Sequence, residues 1–595
     1  MKLTDIAAPD YFHKVVDCQW ACPAHTPVPE YIRLIAAGRY GDAYMVNWHS
    51  NVFPGILGRT CDRPCEPACR RGRVEKDPVA ICRLKRVAAD YKEDIRDRLP
   101  KPGVSNGKRV ALIGGGPASL TVACDLAPLG YHCVMIDQDP QAGGMMRTQI
   151  PKFRLPDSVI DEECGYILDL GIEFIGGRRI DSLKALLAEG FDAVFVGSGA
   201  PRGRDLDIPG RKAALKNIHI GIDWLSSVSF GHVDKIGKRV IVLGGGNTAM
   251  DCCRTARRLG GEDVKVVVRS GFEEMKASPW EKEDAMHEDI PIFNYLVPKS
   301  FTHADGRLTG VVFEKVKSER DVKGRRNLVP TGEPDQHFPC DDVLVAVGQE
   351  NSFPWIERDI GLEFDKWDMP VVAATTMQST RPGVFFGGDA AFGPKNIIWA
   401  VAHGHDAAIS IDKMCKGEDI NERPDPFVQM ASQKMGIHEW SYDNEITLDQ
   451  RFKVPLREKT VALRDIKAEV ELGFDPELAL KEAYRCLNCD IETVFTGSLC
   501  IECDACVDIC PTDCITFTEN GEEAELRTRL KAPSPNFTQD LYVANDLKTG
   551  RVMVKDEDVC LHCGLCAERC PTGAWDMQKF FIDMTHAGEQ CRSKA

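Results

Sequence analysis

Two segments near the end of the 595-residue chain, CIECDACVDICP from Cys500 to Pro511 and CLHCGLCAERCP from Cys560 to Pro571, share the spacing C-x2-C-x2-C-x3-C-P. A thiolate at every third residue lets a short turn wrap one corner of a cubane, and the distant fourth cysteine before proline reaches the other cluster. The spacing predicts two 4Fe-4S clusters, one on Cys500, Cys503, Cys506 and Cys570, the other on Cys560, Cys563, Cys566 and Cys510. Zinc would ask for two separated pairs, often with histidine. The charged stretch between the motifs, ENGEEAELRTRLKAPSPN, reads as a loop, with a docking surface as the alternative.

A second group of thiols opens the chain. Cys18 and Cys22 precede Pro23, and Cys61, Cys65 and Cys69 lie in TCDRPCEPACRRG. Five thiols hold one 4Fe-4S cluster with one to spare, or two clusters if Cys82 is recruited; which of the five is spare is open. Cys486 and Cys489 in RCLNCD form a lone pair, too few for a cluster, and read as structural thiols. In a large chain with 25 cysteines and no export signal, metal ligation outranks disulfides.

Two glycine-rich turns lie between these cysteine regions. In RVALIGGGPASLTVACDLAPLGYHCVMIDQD an apolar run, a turn over Gly114 to Ser119, a helical segment and a second apolar run give the βαβ pattern. One glycine permits the tight turn, a second lets backbone approach a pyrophosphate, and the helix N-terminus supplies N–H groups. Ser119 stands at the third glycine position. Asp137, ending the second run, is placed to accept from a ribose hydroxyl. The pattern restarts in RVIVLGGGNTAMDCCRTARRLGGEDVKVVVRSG, with Gly244, Gly246 and Ala249 in the three positions. Its second run ends in Arg269, a cation suited to a 2'-phosphate, which tilts this unit towards NADP. Two different units suggest two different dinucleotides, one a flavin.

The elements that must hold these groups follow from the composition. With 43% hydrophobic and 28% charged residues the chain is of ordinary globular type, long enough for three or four domains. No run approaches the roughly 18 apolar residues of a membrane span. The opening MKLTDIAAPD lacks the pattern of a secretory signal, so the expectation is a cytoplasmic protein. A net charge of -16 disfavours nucleic acid as a partner. Helix-like pieces such as PVPEYIRLIAAGRYGDAYMV fill the first hundred residues up to the break LPKPGVSNGK, and a charged, irregular stretch from about Lys416 to Leu480 reads as a linker.

The pieces GGGPAS, DQDPQAGGMMRTQIPKFRLP, GGGNTAMDCCRTARRLG, DDVLVAVGQENS and PGVFFGGDAAFGPKNIIWAVAHGHDAA resemble the flavoproteins that include the small subunit of glutamate synthase, the NADPH-binding subunit of ferredoxin-linked transhydrogenases and the front half of dihydropyrimidine dehydrogenase. The resemblance covers most of residues 1–415, and the tail resembles two-cluster bacterial ferredoxins. It implies an α/β and α+β multidomain chain: a helical iron-sulfur domain at 1–105, an FAD domain at 106–235 and 370–415 interrupted by a Rossmann-like NAD(P) domain at 236–369, a linker at 416–480 and a ferredoxin fold at 481–595. It assigns FAD to Gly114, Gly116, Pro117, Ala118, Asp137, Gly144, Arg147, Gly388, Asp389, Asn396 and Ile397. It assigns the nicotinamide cofactor to Gly244, Gly246, Asn247, Thr248, Arg269 and Gly348. NADPH-specific members usually carry two adjacent arginines where this chain has Arg269 and Ser270, which leaves NADP and NAD both open.

Hydride carries two electrons and a 4Fe-4S centre takes one, so a flavin between them completes the series. The expected activity is electron transfer between NAD(P)(H) and ferredoxin-type centres through FAD, within a hetero-oligomer whose partner is a ferredoxin or an iron-sulfur subunit such as a 2-oxoacid:ferredoxin oxidoreductase. The alternatives are a glutamate synthase small subunit, a wiring subunit with an idle nicotinamide site, and a disulfide reductase using Cys252 and Cys253, which the lack of a C-x-x-C in this region disfavours.

Overall fold

A computed structural model describes all residues except 1, 7, 322–324, 442–444, 520–526, 528–537 and 589–595. Nearly all of the charged stretch between the tail motifs falls outside the described residues. The chain divides into two compact units, one of residues 1–98, 422–454 and 473–595, the other of 99–421 and 455–472.

The second unit holds two parallel sheets of five strands. In the first, the order is Val384–Phe386, Ala193–Val196, Arg109–Ile113, His132–Ile136, Glu173–Ile175. Its central strands are continuous apolar runs because helices cover both faces, and Val110, Ala111 and Leu112 are fully buried. Strand Val384–Phe386 returns to this sheet after the second one has been built, so the NAD(P)-type domain is an insertion. The second sheet runs Ile218–Ile220, Asp342–Val345, Arg239–Leu243, Asp263–Val268, Ile292–Asn294. It recruits its first strand, Ile218–Ile220, from before residue 236, where the expected NAD(P) domain begins. An antiparallel group led by Leu296–Ala304 and Arg307–Arg320 lies in the chain between the parallel strands Ile292–Asn294 and Asp342–Val345. Arg154 joins the two dinucleotide domains: it donates to Asp251 at 2.5 Å and to Glu281, both on the inserted domain.

The first unit combines helices from the front of the chain, including Val28–Ala36, Tyr40–Asn51 and Ile81–Tyr91, with the tail. In the tail the helices Ala505–Ile509 and Leu565–Arg569 pack together, and two antiparallel sheets form, one of Ile515–Glu519, Arg551–Lys555 and Tyr542–Val543. The other sheet takes Phe427–Ser432 as a strand beside Trp575–Asp583, so part of the expected linker is sheet. Helix Pro476–Ala483, capped by Asp475 onto Leu478 N at 2.8 Å, packs on Val28–Ala36.

Candidate functional site

Four cysteines of the first unit, Cys61, Cys486, Cys500 and Cys560, open one recurring turn. Arg63, Asn488, Glu502 and His562 all adopt a left-handed backbone, with φ of 57°, 51°, 59° and 54°. Each donates its N–H to the sulfur two residues earlier: to Cys61 at 3.4 Å, to Cys486, and to Cys500 and Cys560 at 3.3 Å. A non-glycine residue is uncommon there, and its recurrence beside thiols points to function. N–H groups aimed at sulfur stabilise negative charge on it.

The turns gather the thiols into four groups of four. Cys500, Cys503, Cys506 and Cys570 line one cavity beside Trp575. Cys560, Cys563, Cys566 and Cys510 line another, with the exchange of fourth cysteines that the spacing predicts. Cys514, which has Ala574 as its counterpart in the sibling motif, adds a fifth sulfur 3.5 Å from that of Cys510. In the third group Cys22, Cys61, Cys65 and Cys82 surround the buried Lys85; burial opposes its charge, the four sulfurs favour it, and the net shift is upward. In the fourth, Cys18, Cys69, Cys486 and Cys489 face one cavity.

The fourth group corrects the reading of Cys486 and Cys489 as a lone structural pair, and none of the five front cysteines is spare. Cys65 and Cys69, at either end of the single-turn helix Cys65–Ala68, go to different groups, as do Cys18 and Cys22. Cys82 enters on the first turn of Ile81–Tyr91, one turn from Lys85. Cys486 and Cys489 are seated by contacts of buried charged side chains with the front of the chain. Arg485 donates to the carbonyls of Asp77 at 2.8 Å and Pro78 at 3.0 Å, Glu482 accepts from Ala80 N at 2.8 Å, and Arg33 reaches Asp490 at 2.7 Å. A usable signal lies in the sequence: CLNC repeats the C-[IL]-x-C of CIEC and CLHC. Burial pushes the Cys486 thiol up to about 12, and a bound cation would favour its thiolate.

The second unit contains a cavity of about 560 Å³, within the usual range for bound cofactors. Gly114, Gly116, Pro117, Ala118, Asp137, Gly144, Gly388, Asp389, Asn396 and Ile397 all line it. Gly114 has φ 93° and a Cβ there would lie 2.6 Å from the carbonyl of Gly197, so the turn needs glycine. A Cβ on Gly116 would meet nothing within 4 Å: the space beside it is the cradle a pyrophosphate would fill. Asp137 accepts from Gly115 N at 2.5 Å and Asp139 N at 2.9 Å, and burial raises its pKa. Burial likewise raises that of Asp389, which accepts from Lys395 N at 3.0 Å. Asn396 caps the 20-residue helix Ile397–Lys416 through Trp399 N at 3.2 Å, bringing a helix N-terminus to the cavity wall.

Asn247 and Thr248 of the inserted domain line the same cavity, as does Asp251. Asn247 Oδ1 accepts from Ser278 N at 2.9 Å, fixing the turn against the following loop. Gly246 is open to space within 4 Å, like Gly116, whereas Gly244, with φ 145°, is pressed against the Ala346 carbonyl. Arg269 is exposed just past strand Asp263–Val268, and neither it nor Gly348 lines the cavity. Arg147 does not line it either: its guanidinium donates to Ala142 O at 2.8 Å and Asp161 at 2.6 Å. Cys252 and Cys253 are fully buried on helix Asn247–Arg258 and absent from the cavity wall, as the rejection of a disulfide reductase expects.

Comparison with known proteins places these sites in a family. Residues 108–404 match the pyridine nucleotide-disulphide oxidoreductase model, 12–96 the 4Fe-4S domain II of dihydropyrimidine dehydrogenase, and 499–574 a 4Fe-4S dicluster domain. The NADP(+)-dependent formate dehydrogenase subunit beta of Moorella thermoacetica is 33% identical over 79% of this chain and 70% of its own length. The NADPH-Fe(3+) oxidoreductase subunit beta of Geobacter sulfurreducens is 31% identical over 82% of this chain and 78% of its own. The small chain of Escherichia coli glutamate synthase is 32% identical over 66% of this chain and 87% of its own. Among the described residues no helix is long and apolar enough to cross a membrane. With a flavoprotein segment flanked in sequence by two iron-sulfur domains, the chain belongs to the FAD-dependent NAD(P)H oxidoreductases that transfer electrons through 4Fe-4S clusters, the family that includes these beta subunits and the glutamate synthase small chain.

Proposed function

We propose that this chain is the NAD(P)-linked subunit of a larger redox complex, passing electrons between nicotinamide and an iron-sulfur partner. The observation that carries the reading is the single cavity lined by both dinucleotide turns, Gly114 to Ala118 and Asn247 to Thr248, where two cofactors would meet. In this reading Gly116 and the helix behind it cradle the FAD pyrophosphate, Asp137 accepts from its ribose, and Asp389 with the N-terminus at Asn396 faces the rest of the flavin. Asn247, Thr248 and Gly246 hold the nicotinamide dinucleotide, with Arg269 reaching a 2'-phosphate from the cavity's outside. FAD supplies the exchange between hydride and single electrons.

The four thiol groups hold four 4Fe-4S clusters, two towards the front of the chain and two in the tail. Cys82 completes one front set, and Cys486 with Cys489 the other. Partner and direction rest on analogy: the relatives named as beta subunits of formate dehydrogenase and of an Fe(3+) reductase support a catalytic partner subunit, and a 2-oxoacid:ferredoxin oxidoreductase is a second candidate of the same chemical kind. A location in the cytoplasm and a hetero-oligomeric state complete the proposal. The test is an anaerobic titration with NADPH and, separately, NADH, following flavin bleaching by absorbance and the clusters by EPR. Bleaching followed by cluster signals supports the reading. Reduction by dithionite alone moves the wiring-subunit alternative ahead.

A further inference from the structure

Arg70 follows Cys69 and lies in the wall of the cavity faced by Cys18, Cys69, Cys486 and Cys489. Its side chain is 6% exposed. Nε donates to Asp17 Oδ2 at 2.5 Å, and Asp17 precedes Cys18. One Nη donates to the carbonyl of Cys560 at 2.9 Å and that of Glu557 at 3.0 Å, and lies 3.2 Å from His562 Nε2. The other Nη is buried without a hydrogen-bond partner among the described residues. A buried guanidinium donor left unmatched is costly, and here it belongs to a side chain in the wall of a cavity built of thiols, close to Cys489.

We propose that Arg70 is the junction of the iron-sulfur chain: its free Nη donates to a sulfur of the Cys18/Cys69/Cys486/Cys489 centre, while its bonded Nη grips the turn of the Cys560/Cys563/Cys566/Cys510 centre. This rests on the four-cluster reading above. The step is the passage of one electron: one centre is oxidised by one electron, the other reduced by one, and no proton or covalent bond moves. Arg70 keeps its proton throughout. Its charge, buried between the two centres, stabilises the electron on either side and sets their potentials together. Hydrogen bonds to cluster sulfur are among the features that tune such potentials. Arg70 is thus a positioning residue that joins the front pair of clusters to the tail pair; within each pair, sequence neighbours such as Cys65 and Cys69, or the exchanged Cys510 and Cys570, already interleave the ligands.

The test compares wild type with Arg70→Lys, which keeps the charge and loses the fork that reaches both centres. Iron per chain is measured first, with about sixteen atoms expected, four for each 4Fe-4S centre. The proteins are then mixed with NAD(P)H and frozen at intervals for EPR. The expected result is unchanged flavin bleaching, unchanged appearance of the front signals, and tail signals delayed at least about tenfold, the factor that one lost charge-assisted hydrogen bond represents. Potentials of the two centres touching Arg70 should shift, and that of the Cys500/Cys503/Cys506/Cys570 centre should not. A fully loaded variant with wild-type tail kinetics and potentials overturns the junction alone. If the variant loads less iron, wild-type protein decides: after dithionite reduction, magnetic broadening between a front and a tail signal, lost in Cys489→Ser, supports the junction, and its absence overturns it. Wild type holding only about twelve irons, with none lost in Cys489→Ser, overturns the four-cluster reading and the junction together.

Discussion

Gly244 and Gly246 offer a paired test, because the same three-residue turn separates a folding requirement from a binding one. Gly246 has φ -101° and ψ 176°, open to any residue, and its Cβ would meet nothing within 4 Å. Gly246→Val should therefore fold; exchanging glycine for a branched residue at a helix N-cap costs about 1 kcal/mol. The new methyl groups enter the space into which N–H groups of the turn reach phosphate. Losing about two charge-assisted bonds of about 1.5–3 kcal/mol each weakens NAD(P)H binding by about 100-fold or more. Gly244, with φ 145°, presses on the Ala346 carbonyl, so Gly244→Ala combines left-handed strain of about 1–3 kcal/mol with an overpacking cost of similar size. The assay is thermal unfolding followed by flavin fluorescence, beside steady-state KM for NADPH and NADH. Gly246→Val should keep its Tm within a few degrees and lose nucleotide affinity, and Gly244→Ala should lose Tm. Wild-type KM in Gly246→Val would refute the assignment of this turn to the nicotinamide cofactor.

Cys503→Ala should empty the Cys500/Cys503/Cys506/Cys570 centre and stop reduction of an external ferredoxin while NAD(P)H still bleaches the flavin; loss of both would contradict the separation of the two units. Arg269→Ala should raise KM for NADPH about fivefold, as befits an exposed charge contact of about 1 kcal/mol, and leave that for NADH alone; equal effects on both would remove Arg269 from the 2'-phosphate. Arg154→Met should cost about 3–5 kcal/mol by removing the partner of Asp251 and leaving Glu281 with Arg254 alone, 3.5 Å away, read as a lowered Tm of the flavin-bearing unit. Asp284 gives a pH test: burial lifts its carboxyl from 3.8 to about 6, against the pull of Arg254. The folded state thus holds this proton more tightly than the unfolded, so the contribution is full below pH 3.8 and lost as pH rises through about 6. Asp284→Asn should flatten the fall in Tm across that window, and an unchanged slope would place the titration elsewhere.

What was legible in the sequence was whatever is encoded locally. The two tail motifs predicted which cysteine crosses to which cluster because the x2-x2-x3 spacing fixes the turn, and the structure places Cys510 and Cys570 accordingly. The glycine turns were legible for the same reason: Gly114 and Gly244 answer to backbone they touch directly. Arg147 was misplaced because a motif match says nothing of rotamer, and Ala142 and Asp161 take its donors.

The front clusters mark where locality ends. Counting five thiols between Cys18 and Cys69 gives one set with a remainder, since adjacency in sequence was the only guide to adjacency in space. The thiols that complete the second front group stand more than 400 residues on, at Cys486 and Cys489, and are held at the front by contacts such as those of Arg485, Glu482 and Arg33, invisible to spacing. Yet the turn itself was written locally. CLNC shares with CIEC and CLHC a residue that takes up a left-handed backbone and aims its N–H at the preceding sulfur, so a pair too short to be a site alone carried the shape of half of one. A C-x-x-C pair with apolar second residue, in a chain that already repeats that tetrapeptide as a cluster turn, is better read as half of a site whose other half must be sought at a distance than as a structural pair.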